Sequence, residues 1–273
     1  MNFAFSTNAY RNYSIEESIR SIASIGFSGI EIMCDTPHAF PPLTSDRLNS
    51  IKKTLEQNNM SISNLNGFML CAIENFHHPS WIEKSSEYRK KRVEHTKNCI
   101  KLAKELGAHS VSTEPGGPPT HNSLNKDFDL FVKGISEVLP IAEENKIRLL
   151  IEPEPGLIIE NSTQFLNFIE KFDSQFLGLN FDIGHFYCVG EKPENLIRNL
   201  KDYIYHIHLE DISKSRVHYH LIPGTGSIDF KKIFKSINDI NYQGYITVEL
   251  YPYQNNPEEA ARKSLEFLNS IIM

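Results

Sequence analysis

The chain alternates short runs of apolar and β-branched residues with longer amphipathic stretches along almost its whole length. The predicted strands are Asn2–Thr7, Gly29–Met33, Ser61–Asn66, Ser110–Glu114, Arg148–Glu152, Gly178–Asp182, Ile204–Leu209 and Tyr245–Glu249. The amphipathic, predicted helical stretches are Ser14–Ile25, Asp46–Asn58, Tyr88–Leu106, Asp127–Glu144, Ser162–Phe172, Pro193–Leu200, Asp229–Ile240 and Pro257–Ile271. Short apolar strands are typical of parallel sheets that helices cover on both faces. Eight such units in 273 residues predict one α/β domain over residues 1–273, a (β/α)8 TIM barrel.

Several helix ends carry local signals that agree with this division. Ser14 followed by Glu17 is the pattern of a capping box, in which each side chain satisfies a free backbone N–H of the first helical turn. Gly26 and Gly107 follow amphipathic stretches and indicate helix ends. The sequence contains neither a low-complexity tract nor a change in composition that would indicate a linker.

Composition limits the classes of partner that we expect. The net charge of −6 and the pI near 6.0 argue against nucleic-acid binding, which usually requires a basic surface. The four cysteines are scattered without a CxxC pair, which favours reduced thiols in a cytoplasmic protein; they are Cys34, Cys71, Cys99 and Cys188. The first residues lack the pattern of a signal peptide, and no apolar run approaches the roughly 18 residues that span a membrane. We therefore expect neither a nucleic-acid nor a membrane partner.

Four successive predicted strands end in a side chain that can bind a metal ion. These residues are Glu152, Asp182, His208 and Glu249. An open doubly wound sheet would show the same alternation, but a closed barrel brings its strand ends together on one ring at the C-terminal mouth. Three carboxylates and an imidazole gathered there would repel one another unless a cation held them. The pattern predicts one divalent ion, Mn²⁺, Mg²⁺, Co²⁺ or Zn²⁺, and the alternative is that each acid caps a helix or pairs with a lysine.

Other polar residues near the same strand ends are candidates for binding substrate. His185 follows Asp182 across a glycine that permits a tight turn, so we expect it to face the mouth as a neutral hydrogen-bond donor. Arg216 can bind a carboxylate, a phosphate or a pair of hydroxyls through its planar guanidinium. His218 and His220 share a face of an extended segment, and His220 is the stronger candidate. The alternative is a polar surface loop.

Together these residues resemble the xylose isomerase-like TIM barrel superfamily, which includes ketose epimerases, sugar-phosphate epimerases, inosose dehydratases and type IV AP endonucleases. The resemblance begins with the stretch from Gly26 to Ile32 and is strongest from Ile151 to Tyr251. It implies that the four strand-end residues form a metal site similar to that of the ketohexose 3-epimerases. It also implies that His185 and Arg216 contact the substrate, and homo-oligomers are usual among these relatives.

The match to the type IV endonucleases fails at their outer metal ligands. Asn66 and Glu114 stand where those enzymes have histidines, and His218 stands where they have an aspartate. A complete multi-metal cluster and a DNA-repair function are therefore not expected. Glu114 and His220 remain candidates for contacting the substrate or a second ion.

The resemblance implies an isomerase or epimerase that acts on a ketose or a related polyhydroxy ketone. Glu152 and Glu249 would remove and return a proton on opposite faces of the substrate, next to a metal-bound carbonyl, by way of an enediolate. The same residues could instead support a dehydratase or lyase that eliminates water from a cyclitol or keto-sugar. A barrel that binds a ligand without turning it over is the third alternative.

Overall fold

Eight parallel strands close into a barrel in the computed structural model, which describes residues 1–120 and 123–272. Each strand pairs with its neighbours in chain order, and the last strand pairs with the first. The strands are β1 (Asn2–Ser6), β2 (Gly29–Met33), β3 (Ser61–Asn66), β4 (Ser110–Thr113), β5 (Arg148–Ile151), β6 (Leu177–Asp182), β7 (Ile204–Leu209) and β8 (Tyr245–Val248). The closed sheet confirms the predicted (β/α)8 barrel and excludes an open doubly wound sheet.

Helices surround the barrel and connect its strands. They are α1 (Ile15–Ile25), α2 (Ser45–Gln57), α3 (Ser86–Leu106), α4 (Leu124–Asn145), α5 (Ser162–Ile169), α6 (Ile183–Cys188), α7 (Pro193–Asn199), α8 (Phe230–Asp239) and α9 (Pro257–Ile272). The capping box predicted at α1 is confirmed, because the Ser14 hydroxyl accepts from Glu17 N–H and the Glu17 carboxylate accepts from Ser14 N–H at 2.8 Å. None of these helices, within the residues described, has the length and apolar character needed to cross a membrane.

The apolar core lies between the outer face of the barrel and the helices. Phe131 of α4 stacks on Phe168 of α5 with ring centroids 4.7 Å apart, and Trp81 packs edge-on against Phe131. Gly134 inside α4 is explained by this packing, since a Cβ atom there would lie 2.7 Å from the Trp81 ring. Fully buried packing of this kind fixes the helices on the strands and so fixes the geometry of the barrel mouth.

The strand ends at the mouth differ from the prediction by one residue in four places. Strand β1 ends at Ser6 instead of Thr7. Strands β4, β5 and β8 end at Thr113, Ile151 and Val248, so Glu114, Glu152 and Glu249 begin the loops that follow. Helix α6 was not predicted, because its six residues are too few to show a helical period. It starts immediately after β6, and this start positions the last residue of that strand.

Candidate metal centre

Four side chains from the last four strands converge at the barrel mouth. Glu152, Asp182, His208 and Glu249 are all buried, and each offers one ligand atom within 4.8 Å of those of the other three. His208 Nδ1 lies 2.9 Å from Glu152 Oε1, 3.6 Å from Glu249 Oε2 and 3.8 Å from Asp182 Oδ2. The four residues predicted from the strand ends therefore face one common point.

The chemistry of these four residues fits a divalent cation. Glu152 Oε2 and Asp182 Oδ2 are buried and have no hydrogen-bond partner among the residues described. A buried oxygen without a partner is unfavourable unless an ion or water satisfies it. Asp182 Oδ1 accepts from the His185 backbone N–H at 2.7 Å at the start of α6, and this bond leaves Oδ2 directed at the cluster. Three carboxylates and one imidazole are a ligand set that Mn²⁺, Mg²⁺, Co²⁺ and Zn²⁺ accept.

The two ring nitrogens of His208 have different partners. Nδ1 faces the three carboxylates of the cluster, whereas Nε2 lies 2.7 Å from Glu31 Oε2 on the opposite side of the ring. Glu31 accepts from Nε2 and so keeps the proton on that nitrogen, whereas Nδ1 points into the cluster and is the nitrogen that would give up its proton to an ion. Carboxylates that hold a ligating histidine in this way fix its tautomer and its orientation.

Glu31 of β2 is a site residue that the sequence reasoning missed. Its carboxylate is fully buried inside the barrel and accepts from Ser6 Oγ at 2.8 Å, from Asn64 Nδ2 at 2.9 Å and from His208 Nε2. Burial alone would raise the pKa of Glu31, but the charge of His208 and the bonds from His206 and His208 hold it well below its usual range. An acid inside the apolar strand Gly29–Met33 is a signal that could have identified it.

We expect Glu31→Gln to weaken metal binding about 10- to 100-fold. Glutamine keeps the shape of the side chain but removes the charge that orients His208. Its amide N–H₂ group would also face the N–H groups of Asn64 and His208, from which the Glu31 carboxylate now accepts hydrogen bonds. Competition against a chromophoric chelator measures the affinity for Zn²⁺ or Mn²⁺. The exposed acid Glu170 provides the control, as Glu170→Gln should leave the affinity unchanged. An affinity of Glu31→Gln within twofold of the unsubstituted protein would contradict this role.

Burial and mutual repulsion dominate the electrostatics of the acids at the mouth. Burial raises the pKa of Glu249 well above its usual value, with His208 opposing this effect and Glu152 adding to it. Burial likewise raises the pKa of Glu152, again against the influence of His208. Burial would lower the pKa of His208, but Glu31, Glu152 and Glu249 raise it well above its usual value. The cluster thus favours positive charge at its centre.

His185 and His220 line the cavity as the sequence predicted, but as hydrogen-bond acceptors. His185 Nδ1 lies 2.9 Å from the Pro153 carbonyl oxygen, and His220 Nδ1 lies 2.9 Å from the Glu249 carbonyl oxygen. Since a carbonyl oxygen only accepts, Nδ1 carries the proton in both rings and Nε2 is left with a lone pair. Burial lowers the pKa of each ring to about 3, so both are neutral. This geometry corrects the expectation that His185 acts as a donor.

Glu114 and Arg216 lie outside the residues that line the cavity. Glu114 is fully buried with its Oε1 3.5 Å from Arg92 Nε, so its carboxylate faces α3 and not the mouth. Arg216 is exposed, and its guanidinium donates to the Tyr187 carbonyl oxygen at 2.6 Å while lying over the Tyr187 ring. Each side chain is held by a partner that the strand-end pattern does not reveal. The position of both side chains corrects the expectation that Glu114 and Arg216 contact the substrate.

A cavity opens at the four-residue cluster, and two of the four residues, Glu152 and Glu249, line it. The lining residues are Asn8, Asn66, Phe68, Met69, Phe76, Glu152, Glu154, His185, His218, His220, Glu249 and Tyr251. The cavity therefore combines carboxyl groups and imidazoles with aromatic rings.

Comparisons with known proteins agree with this architecture. Residues 19–271 match the family model described as the xylose isomerase-like TIM barrel. The fructoselysine 3-epimerase of Shigella flexneri is 26% identical over 275 residues, which cover 97% of this chain and 96% of that protein. The inosose dehydratase of Mesomycoplasma hyopneumoniae is 25% identical over 291 residues, which cover 95% of this chain and 89% of that protein. The solved structure of the IOLI protein with a binding zinc atom has a TM-score of 0.82 at 18% identity, covering 100% of this chain and 98% of that one.

Proposed function

Because this chain belongs to the xylose isomerase-like TIM barrel family, we propose that it is a metal-dependent isomerase or epimerase of a ketose or a related polyhydroxy ketone. The observation that carries the proposal is the convergence of Glu152, Asp182, His208 and Glu249 on one point beside a cavity in the barrel mouth. The match to an epimerase over nearly the whole chain supports it.

The proposed ligands of the divalent ion are Glu152, Asp182, His208 through Nδ1, and Glu249. When bound, such an ion withdraws electron density from a substrate carbonyl and so acidifies the neighbouring C–H bond. Glu31 would keep Nδ1 of His208 free for this purpose by holding the proton on Nε2.

The proposed proton transfers use Glu152 and Glu249. The two residues follow β5 and β8, so their carboxylates approach the cavity from different sectors of the ring of strands. One residue, as the carboxylate, removes the proton from the carbon beside the carbonyl, and the other, as the protonated acid, delivers its proton to the opposite face of that carbon and becomes a carboxylate. The unprotonated Nε2 of His185 accepts a hydrogen bond from a substrate hydroxyl and fixes the ketose relative to the two carboxylates, whereas Nε2 of His220 lies 3.2 Å from His218 Nε2.

Deuterium incorporation tests this proposal directly. The metal-loaded protein is incubated in D₂O with a panel of free ketoses, beginning with D-fructose and D-tagatose. We expect solvent deuterium in the recovered sugar at the carbon next to the carbonyl, together with the epimer or isomer, because the transferred proton exchanges with solvent at a carboxylate. Mass spectrometry and proton NMR measure both. Metal-dependent turnover without any deuterium in the recovered substrate or product would contradict the mechanism.

A dehydratase is the second candidate, and the inosose dehydratase relative is the observation that favours it. The same pair of carboxylates can remove a proton beside a carbonyl and then protonate a departing hydroxyl group, which releases water. The two functions differ in their products. An unsaturated ketone formed from scyllo-inosose or another cyclic polyhydroxy ketone, with no epimer, would assign the protein to the lyases.

A further inference from the structure

Asn66, the last residue of β3, is a cavity residue that the proposed proton transfers do not use. It is 2% exposed and lines the cavity at the barrel mouth. The Phe68 backbone N–H donates to Asn66 Oδ1 at 3.0 Å, which identifies the oxygen of the amide and directs Nδ2 elsewhere. The backbone of Asn66 is held as well, because its carbonyl oxygen accepts from the Cys34 N–H at 2.7 Å. The position of the amide group is therefore fixed from two directions.

The Nδ2 atom of Asn66 contacts two buried carboxylates. It donates to Glu31 Oε1 at 3.3 Å and to Glu249 Oε1 at 3.4 Å. An amide nitrogen carries two hydrogens, so both bonds can form at once. Glu31 contacts His208 through Nε2, whereas Glu249 faces Nδ1 of the same ring. Asn66 therefore connects the residue that orients the histidine with a carboxylate of the metal centre.

The two oxygens of the Glu249 carboxylate have different neighbours. Oε1 accepts from Asn66, whereas Oε2 lies 3.6 Å from His208 Nδ1. His220 Nδ1 lies 3.7 Å from Oε2 and donates to the Glu249 carbonyl oxygen instead. Within the part of the chain that the structure describes, no side chain other than Asn66 donates a hydrogen bond to this carboxylate. The terminal torsion of a glutamate is only weakly restrained, so the bond from Asn66 decides how the carboxylate is turned.

Asn64 of the same strand provides a comparison inside the barrel. Residues two apart in a strand point to the same face, and Asn64 Nδ2 also donates to Glu31, at 2.9 Å. Its second bond goes to Ser112 Oγ at 2.9 Å, so both hydrogens of this amide are used away from the cavity. The two asparagines thus share the contact with Glu31 and differ in that Asn66 also contacts Glu249.

We propose that Asn66 is a positioning residue for Glu249. Its N–H group holds Oε1 and leaves Oε2 as the oxygen directed at the other ligand atoms of the metal centre. Hydrogen bonds from neighbouring groups fix the orientation of metal-binding carboxylates in this way. The inference rests on the proposed function, because it concerns the same metal centre. A role limited to the turn after β3 would need only the bond from Phe68.

A double-mutant cycle on metal affinity tests the proposal. Asn66→Ser is the main variant, because a serine hydroxyl can still accept from the N–H two residues on but is too short to reach Glu249. We expect it to weaken the binding of Zn²⁺ about tenfold, as measured by competition against a chromophoric chelator. In the Glu249→Ala background the same substitution should weaken binding less than about threefold, because the carboxylate that Asn66 positions is gone.

Asn64→Ser is the matched control, since it removes a donor to Glu31 without a change at Glu249. Its effect on the affinity should be the same in both backgrounds. Asn66→Ala, which also removes the acceptor for the Phe68 N–H, repeats the cycle and should show the same coupling to Glu249 as Asn66→Ser.

Two results would overturn the proposal. One is a Zn²⁺ affinity of Asn66→Ser within about twofold of the unsubstituted protein, and the other is an equal loss with and without the Glu249 side chain. These affinities need no turnover, so they separate the two ideas. Missing deuterium incorporation with the coupling intact counts against the proposed function, whereas independent losses with incorporation intact count against the role of Asn66 alone.

Discussion

Glu152→Gln and Glu249→Gln are each expected to lower the rate of deuterium incorporation by about a thousandfold or more. Each substitution removes a carboxylate that is proposed to carry the proton, and an amide cannot take its place because it has no basic site of similar strength. Both residues line the cavity and also face His208 Nδ1, at 2.9 Å for Glu152 and 3.6 Å for Glu249. The measurement is the exchange rate at saturating ketose, followed by proton NMR in D₂O.

Metal analysis separates the two roles of these carboxylates. Each variant is measured as purified and again with excess Mn²⁺, since a lost ligand weakens metal binding and added ion compensates for that weakness. Exchange that stays low with full metal content points to the missing base, whereas exchange that recovers points to metal binding alone. Glu170→Gln, at the exposed residue that follows the end of α5, should behave as the unsubstituted protein does. Unchanged metal content and exchange in both variants would contradict the assignment of the site.

The part of the site that the sequence predicted is the part that topology determines. In a closed parallel barrel every strand has its C-terminal end on the same rim, so a polar residue at that end must lie at the mouth. This argument needs only the strand boundaries, and an error of one residue at Glu152 or Glu249 does not move the residue from the rim. The convergence of the four ligand atoms could therefore be predicted from the positions of four strand ends alone.

The parts that could not be predicted depend on where a side chain points and on what holds it there. Glu114 also begins at a strand end, yet Arg92, which is distant in sequence, turns its carboxylate away from the cavity. Arg216 is drawn to Tyr187 in the same manner. Glu31 lies in the middle of an apolar strand, and its function is visible only once His208 is placed across the barrel from it. Such partners are set by packing, which the periodicity of a sequence does not encode.

Arg92 of α3 connects the barrel mouth to the stability of the whole fold. Its side chain is fully buried, and it donates to the carbonyl oxygens of Pro79 at 2.8 Å, of Gly67 at 3.0 Å and of Phe68 at 2.9 Å. The same guanidinium lies 3.5 Å from Glu114, whose two carboxylate oxygens have no hydrogen-bond partner among the described residues. Arg92 thus anchors the loop after β3 and compensates a buried acid at once.

We expect Arg92→Met to lower the free energy of unfolding by about 3–5 kcal/mol, because it leaves the Glu114 charge buried without its partner. The loss of unfolding free energy should be larger at higher pH. Burial already raises the pKa of Glu114 from 4.5 to about 7 against the opposing charge of Arg92, and removal of that charge raises it further. A folded-state pKa above the unfolded value means that the folded protein binds the extra proton, so stability falls as pH rises from the unfolded towards the folded pKa.

Urea unfolding of the variant at about pH 5 and about pH 8.5 measures both the loss and its pH dependence. The double variant Arg92→Met/Glu114→Gln is the decisive control, because glutamine has the volume of glutamate without its charge. The double variant should recover the pH-dependent part of the lost stability. It should retain only the loss that comes from the three missing hydrogen bonds between Arg92 and backbone carbonyl oxygens. If the single and double variants lose the same stability at both pH values, the buried charge of Glu114 is not what Arg92 compensates. Its contribution would then be that of a loop anchor alone.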